Sequence, residues 1–320
     1  LGEQYPEPEM HAGIDIGGTS IKYGITTPNG EIVFQDAMPT DPAQGPDAMI
    51  ECLKALIHSL IEKFPETLSF GVGFPSVVNP SDGCVYYPPN LPGWGVVPLV
   101  ELLQASTNRP VAVDNDANVA ALAEAVLGAG RDISHFLYVT LGTGVGGGII
   151  LNHSIFSGER GGAGEIGHII IKADDKAGNE ASFRTGTLEE HIGRMGLIRS
   201  ARSIAAHYPA SMLHNFSALD VEHISVCAEQ GDQAAVECLT EAGRLLGLGL
   251  ASILAVLDMR IVVVGGGISR SSSIFLETAL QTLRHRALPT IASQAQIRKA
   301  YFSSNAGLVG AAMLGRLRIQ

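Results

Sequence analysis

Apolar and polar positions along the chain fall into two series with the same order of periods. In the first half, residues 11–16, 21–26 and 31–36 read as strands, with Pro28-Asn29-Gly30 as a turn. Met49, Ile50, Leu53, Leu56, Ile57, Leu60 and Ile61 recur at helical spacing and predict a helix over 46–64. A strand over 69–74, a Pro- and Gly-rich loop to Trp94, a short helix over 97–104, a strand over 110–113 and a helix over 117–127 follow. The second half predicts strands over 135–141, 147–151 and 154–156, then an insertion of loops and helices over about 158–241. A helix over 241–257, a strand over 261–264, a helix over 273–287, a strand over 296–302 and a helix over 306–317 complete it. Both halves thus read βββαβαβα, a duplication of topology rather than of sequence. The expected fold is α/β, with two duplicated lobes around a central cleft. The smaller lobe is expected over 1–116 plus 305–320, the larger over 117–304. Ligands favour such interfaces.

Composition narrows the function. The 38 glycines cluster after apolar runs, where backbone can approach a ligand closely. A net charge of −11 with no basic stripe argues against a nucleic-acid surface. Cys52, Cys84, Cys227 and Cys238 are widely spaced, form no C-x-x-C pair and read as reduced thiols. Residues 1–10 lack the basic and apolar regions of a signal peptide. The apolar run 245–257 is too short to span a bilayer and reads as a buried helix. A cytoplasmic protein without a membrane segment is expected.

The chain turns on Val113-Asp114-Asn115-Asp116-Ala117-Asn118, where a strand becomes an Ala-rich helix. Asp and Asn cap the free N–H groups of a first helical turn, which is one reading. The other is a carboxylate held ionised at a helix N-terminus and aimed at a substrate. Glycine turns bear on the choice. Asp15-Ile16-Gly17-Gly18-Thr19 is either a tight hairpin or a nest of N–H groups for a phosphate, with Asp15 beside a bridging Mg²⁺. Gly142-Thr143-Gly144-Val145-Gly146-Gly147 matches G-x-G-x-x-G, but strand and not helix follows it, so a dinucleotide fold is rejected. It reads as a second β-turn-β phosphate loop. Val262–Val264 run into Gly265-Gly266-Gly267, either a helix entry or a platform for adenine. No Walker loop occurs.

Together with Gly164-Glu165-Ile166-Gly167-His168 and Pro89-Asn90-Leu91-Pro92-Gly93-Trp94, these motifs resemble, in order, the ROK-family sugar kinases. That family belongs to the actin/hexokinase-like ATPase superfamily with its ribonuclease H-like fold. The resemblance covers about residues 11–315 and implies ATP-dependent phosphorylation of a hexose, glucose first, to glucose 6-phosphate. It implies Asp116 as the base. Asn90, Asn115, Glu165, His168 and, through a family-like Leu188-Glu189 pair, Glu189 would bind sugar hydroxyls. Asp15 would organise Mg²⁺ through water. Gly17, Gly18, Thr19, Lys22, Gly142, Thr143 and Gly144 would face the ATP phosphates, and Gly265 and Gly266 the nucleoside. Asp114 is then structural, Asn118 a cap or brace of the helix, and Asn305 a helix cap. A homodimer is also implied.

The family's usual zinc loop is missing. His168 is present, but 171–188 contain no cysteine, and tetrahedral zinc needs about four ligands. No zinc is expected, and His168 reads as a sugar ligand or a satisfied core histidine. Other members of the class stay in view. Another hexose or N-acetylhexosamine (mannose, fructose, N-acetylglucosamine, N-acetylmannosamine) could be the acceptor. A sugar-responsive regulator would be expected to carry a DNA-binding domain before the first strand. A polyphosphate donor would call for more Lys and Arg.

Overall fold

A computed structural model describes residues 9–88, 91–174, 185–302 and 304–319. The chain divides into two compact units. One comprises Leu1–Ser134, Gly148–Gly164 and Ser304–Gln320, the other His135–Gly147 and Glu165–Ser303.

The first unit begins with strands β1 (Met10–Ile16), β2 (Ser20–Thr26) and β3 (Ile32–Pro39), then helix α1 (Gly45–Lys63) and strand β4 (Thr67–Phe74). Strands β5 (Val77–Val78), β6 (Val85–Tyr86) and β7 (Val96–Val97) lead to helix α2 (Leu99–Gln104), strand β8 (Val111–Asn115) and helix α3 (Asp116–Val126). The main sheet has the order β3-β2-β1-β4-β8, with β1, β4 and β8 parallel. β5-β6-β7 form a small antiparallel sheet inside the stretch read as a loop. Two-residue strands are too short to give an alternation signal. The core joins Ile14, Ile16, Ile25, Phe70 and Phe74 to the α1 residues Leu53, Ile57 and Leu60, all at most 2% exposed.

The second series starts with β9 (His135–Leu141), β10 (Val145–Leu151) and β11 (Ser154–Ile155). The predicted insertion holds helices α4 (Leu188–Ile192), α5 (Arg194–Ala205) and α6 (Val221–Glu229). Helix α7 (Gln233–Leu257), strand β12 (Ile261–Gly265), helices α8 (Ser273–Arg286) and α9 (Pro289–Ala292), strand β13 (Gln296–Lys299) and helix α10 (Ala306–Leu317) follow. The strand order is β11-β10-β9-β12-β13, matching the first sheet place for place, so the βββαβαβα duplication holds.

Two readings are corrected. Helix α7 starts at Gln233, eight positions before the expected 241, because Asp232 caps it by accepting the Ala235 N–H at 2.9 Å. At 25 residues it is long and apolar enough to cross a membrane, but most of its apolar window is buried inside the protein, as in a core helix. Asn305 stands at the N-cap position of α10, yet its side chain makes no cap bond and donates instead to Gln35 Oε1 at 3.3 Å.

Helix α10 returns to the first unit and packs on β1 and β4 through glycines. A Cβ at Gly13 would stand 2.9 Å from the Ala312 nitrogen, and one at Gly71 the same distance from the Gly315 nitrogen. Real Cβ atoms do not come so near to backbone, so the seat requires glycine on the sheet.

Candidate functional site

The first unit places its candidate groups at the C-terminal ends of parallel strands, where α/β sheets open their ligand crevice. Asp15 pairs in register with Gly73 of β4, and Gly73 with Asp114 of β8. An added Cβ at Gly73 would sit 3.5 Å from Asp15 Oδ1 and 3.6 Å from Asp116 Cα. The same Cβ would stand 2.8 Å from Val119 Cγ2, so glycine is required where β4 passes close to Asp15, Asp116 and Val119. Behind Asp15, a Cβ at Gly307 would overlap the carboxylate, so the second residue of α10 makes room for it. Burial pushes the Asp15 carboxyl up to about 6, and the Lys22 ammonium opposes that rise. Lys22 Nζ also donates to the Ser304 carbonyl at 3.0 Å.

At the strand-to-helix junction the cap and the helix N-terminal carboxylate fall on different residues. Asn115 is the N-cap of α3: its Oδ1 accepts the N–H groups of Ala117 (2.9 Å) and Asn118 (3.2 Å), and its Nδ2 donates to the Ser76 carbonyl at 3.2 Å. Asp116 is the first helical residue, half-buried, with Oδ1 accepting the Ala117 N–H at 2.8 Å. Its charge sits at the positive end of the helix dipole. Asp114 is buried and accepts from the Asn115 N–H (2.7 Å) and Asn118 Nδ2 (2.9 Å). Burial raises its carboxyl and those two donors oppose the rise. It is the brace under the junction, as expected of it and of Asn118.

The β1–β2 turn is tied by Gly17 N–H to the Ser20 carbonyl (3.0 Å) and by Thr40 Oγ1 to the Gly17 carbonyl (2.9 Å). Gly18 and Thr19 are exposed. A Cβ at Gly18 would meet no atom within 4 Å, and its φ is not positive. Gly142 and Gly267 share this property, as do Gly95 and Gly162. Among the described residues, no contact requires glycine at Gly18, Gly142 or Gly267.

In the second unit, Gly142, Thr143 and Gly144 form the turn between β9 and β10, closed by Gly142 N–H on the Gly144 carbonyl at 3.0 Å. β10 follows directly, as the rejection of a dinucleotide fold requires. Gly265 ends β12, and Gly266 has φ +84° with the Leu141 carbonyl where a Cβ would go. A cavity of about 530 Å³ lies between Gly142-Thr143 and Gly267. Its other walls went unread in the sequence: Arg194 at the start of α5, Asp220 at the N-cap of α6, Ser225 within α6, and Arg270. The Arg194 guanidinium donates to both Asp220 oxygens (Nε 2.9 Å, Nη2 2.5 Å), which holds the Asp220 carboxyl below its usual range. No local motif marks these residues.

Glu165 is the N-cap of a single 3-10 turn, Ile166–His168, whose last residue His168 has its Nε2 3.6 Å from Glu165 Oε2. Both are exposed, so His168 is not a core histidine. Glu189, on α4, accepts the Val145 N–H at 2.9 Å. Asn90, and residues 175–184 of the zinc-less loop, lie outside the described residues. No group of three or more His, Cys, Asp or Glu able to hold a metal occurs among the described residues.

A family model described as the ROK family matches residues 11–317. A glucokinase of Halalkalibacterium halodurans is 33% identical over 313 residues, 95% of this chain and 94% of its own length. An N-acetyl-D-glucosamine kinase of Salmonella paratyphi B is 31% identical over 309 residues, covering 95% and 99%. The crystal structure of a ROK family glucokinase from Streptomyces griseus, in complex with glucose and AMPPNP, superposes with a TM-score of 0.81 at 31% identity, covering 96% of this chain and 99% of that one. With the family matched from the first strand to the last helix, in sequence and in fold, this chain belongs to the ROK family.

Proposed function

We propose that the chain is an ATP-dependent hexose kinase, with glucose as the leading acceptor and glucose 6-phosphate as its product. The observation that carries this reading is the placing of two carboxylates at the C-terminal ends of the first unit's parallel strands: Asp15 beside a glycine turn and Asp116 at a helix N-terminus, both close to Gly73. Likeness to glucokinases supports the acceptor.

Phosphoryl transfer needs positioning and charge neutralisation more than a strong base. Asp116 takes the proton of the sugar hydroxyl as that oxygen bonds to the γ-phosphorus and the bond to ADP breaks. Asp116 stands at the positive end of the α3 dipole, which favours negative charge there. Asn90, Asn115, Glu165, His168 and Glu189 hydrogen-bond the remaining hydroxyls. Asn115 has one Nδ2 hydrogen left to give, since its Oδ1 is spent on the helix cap and Nδ2 already donates to the Ser76 carbonyl. Gly17, Gly18, Thr19, Lys22, Gly142, Thr143 and Gly144 face the phosphates, and Gly265 and Gly266 line the nucleoside. Asp15 fits a magnesium held through water, because it is an anionic oxygen donor whose ionisation burial opposes and whose nearby countercharge is Lys22. Magnesium bound there supplies positive charge to the phosphate oxygens. A cytoplasmic homodimer completes the reading.

The test is ADP release from ATP and Mg²⁺ over glucose, mannose, fructose, N-acetylglucosamine and N-acetylmannosamine. Glucose should give the highest kcat/KM, and no turnover with any sugar overturns the proposal. Asp116→Asn should lower kcat by about 10²–10⁴-fold while calorimetric sugar affinity changes by less than about threefold. A near-normal kcat removes Asp116 as base. Likeness to an N-acetyl-D-glucosamine kinase favours N-acetylhexosamine as the second reading, which the same panel decides. Sugar binding without turnover would point to a regulator.

A further inference from the structure

The resemblance assigns Glu189 to the sugar, yet its carboxylate is already engaged elsewhere. Oε2 accepts the Val145 N–H at 2.9 Å, directly after the turn Gly142-Thr143-Gly144. Gly144 has to lack a side chain for this, since an added Cβ would stand 3.0 Å from Glu189 Cδ and overlap Oε2. The same corner fastens the turn again: Arg194 N–H donates to the Gly142 carbonyl at 3.1 Å, and Gly193 N–H to the Glu189 carbonyl at 2.9 Å. A Cβ at Gly193 would lie 2.8 Å from the Glu189 carbonyl oxygen and 3.2 Å from that of Thr143. From its other side Val145 is backed by Gly167, which lies so close that a Cβ there would overlap the Val145 carbonyl. Val145 is thus held between the segments that carry Glu189 and the Glu165–His168 pair.

We infer that Glu189 is a positioning residue for the phosphate turn, acting through the Val145 N–H, so that nucleotide binding depends on a side chain of the sugar-contacting set. The inference rests on the kinase reading for the identity of the ligand. A carboxylate has about four acceptor positions, so one N–H leaves capacity for a sugar hydroxyl. Sugar segment and phosphate turn then share one group.

The test uses the full chain and three variants: Glu189→Ala, Glu189→Gln and Gly144→Ala. ADP affinity with magnesium and no sugar, sugar affinity without nucleotide, and amide exchange at Val145 are measured. Glu189→Ala should weaken ADP binding about tenfold and speed Val145 exchange, by loss of one acceptor from a part-buried N–H. Glu189→Gln keeps a carbonyl oxygen for that N–H and should restore ADP affinity to within about threefold. Gly144→Ala pushes the carboxylate aside and should reproduce the ADP defect, with little added by combining it with Glu189→Ala. Loss of sugar affinity alone, with ADP affinity and Val145 exchange unchanged in Glu189→Ala, overturns the inference, as does a wild type that binds no ADP. A wild type that binds ADP but phosphorylates no sugar defeats the kinase reading, and the ADP and exchange data still decide the role of Glu189.

Discussion

Asp116, Asn115 and Asn118 were legible from six consecutive residues because capping is decided within one helical turn. Glu189 was legible only by resemblance, and its partner Val145 not at all, since that bond joins distant parts of the chain. His11 is a buried residue that the sequence marked only as the first of a strand. It is fully buried, with Nδ1 2.9 Å from Ser69 Oγ and Nε2 without a partner among the described residues. Burial, then the charge of Arg316, lowers its pKa below the ordinary 6.5. The unfolded chain therefore takes up a proton first as the pH falls, and stability present above 6.5 is lost below it. Urea unfolding should show stability declining between pH 6.5 and 5 by up to about 1.4 kcal/mol per pH unit from this one group. His11→Leu should flatten that slope whatever its stability at pH 7. An unchanged slope would mean that other groups set it.

At the level of elements, the long periodic segments α1, α3 and α10 matched their expected spans closely, and the errors fell at boundaries and in short pieces. Helix α7 was read short because its first turns, Gln233–Thr240, mix polar and apolar positions, and only the Asp232 cap reveals the start. Glycines within α7 expose a contest that sequence alone would misjudge. Replacing a helix-interior glycine by alanine usually adds about 1 kcal/mol of stability. At Gly247 the added Cβ would lie 2.5 Å from the Ala279 carbonyl oxygen and 2.6 Å from Thr282 Cβ, both on α8. Overpacking of this kind costs about 1–3 kcal/mol, and a backbone carbonyl cannot rotate away as a side chain can. The clash should win: Gly247→Ala is expected to lower the urea midpoint with m unchanged. A raised midpoint would mean that α7 and α8 separate more readily than their packing suggests.

For the molecule as a whole, the repeated sheet order and the family match identify a duplicated actin-like ATPase fold. If glucose binds the native chain and not the unfolded one, glucose at a hundred times its Kd should add about 2.7 kcal/mol, a rise of roughly 5 °C in Tm. AMPPNP with magnesium should add a further rise, and galactitol, offered as an acyclic control, none. A Tm that no sugar moves would count against a sugar site. The sequence by itself determined the alternation of strands and helices, the glycine turns at strand ends and the acid at the start of α3. Each is written in contacts spanning a few residues, where periodicity, capping and backbone freedom act. Only the tertiary structure decided what those turns are fastened to: Asp15 against Gly307 and Gly73, Val145 against Glu189, and Arg194 against Asp220. Those pairings are chosen by close packing among segments far apart in the chain, and packing leaves no signature in the order of residues.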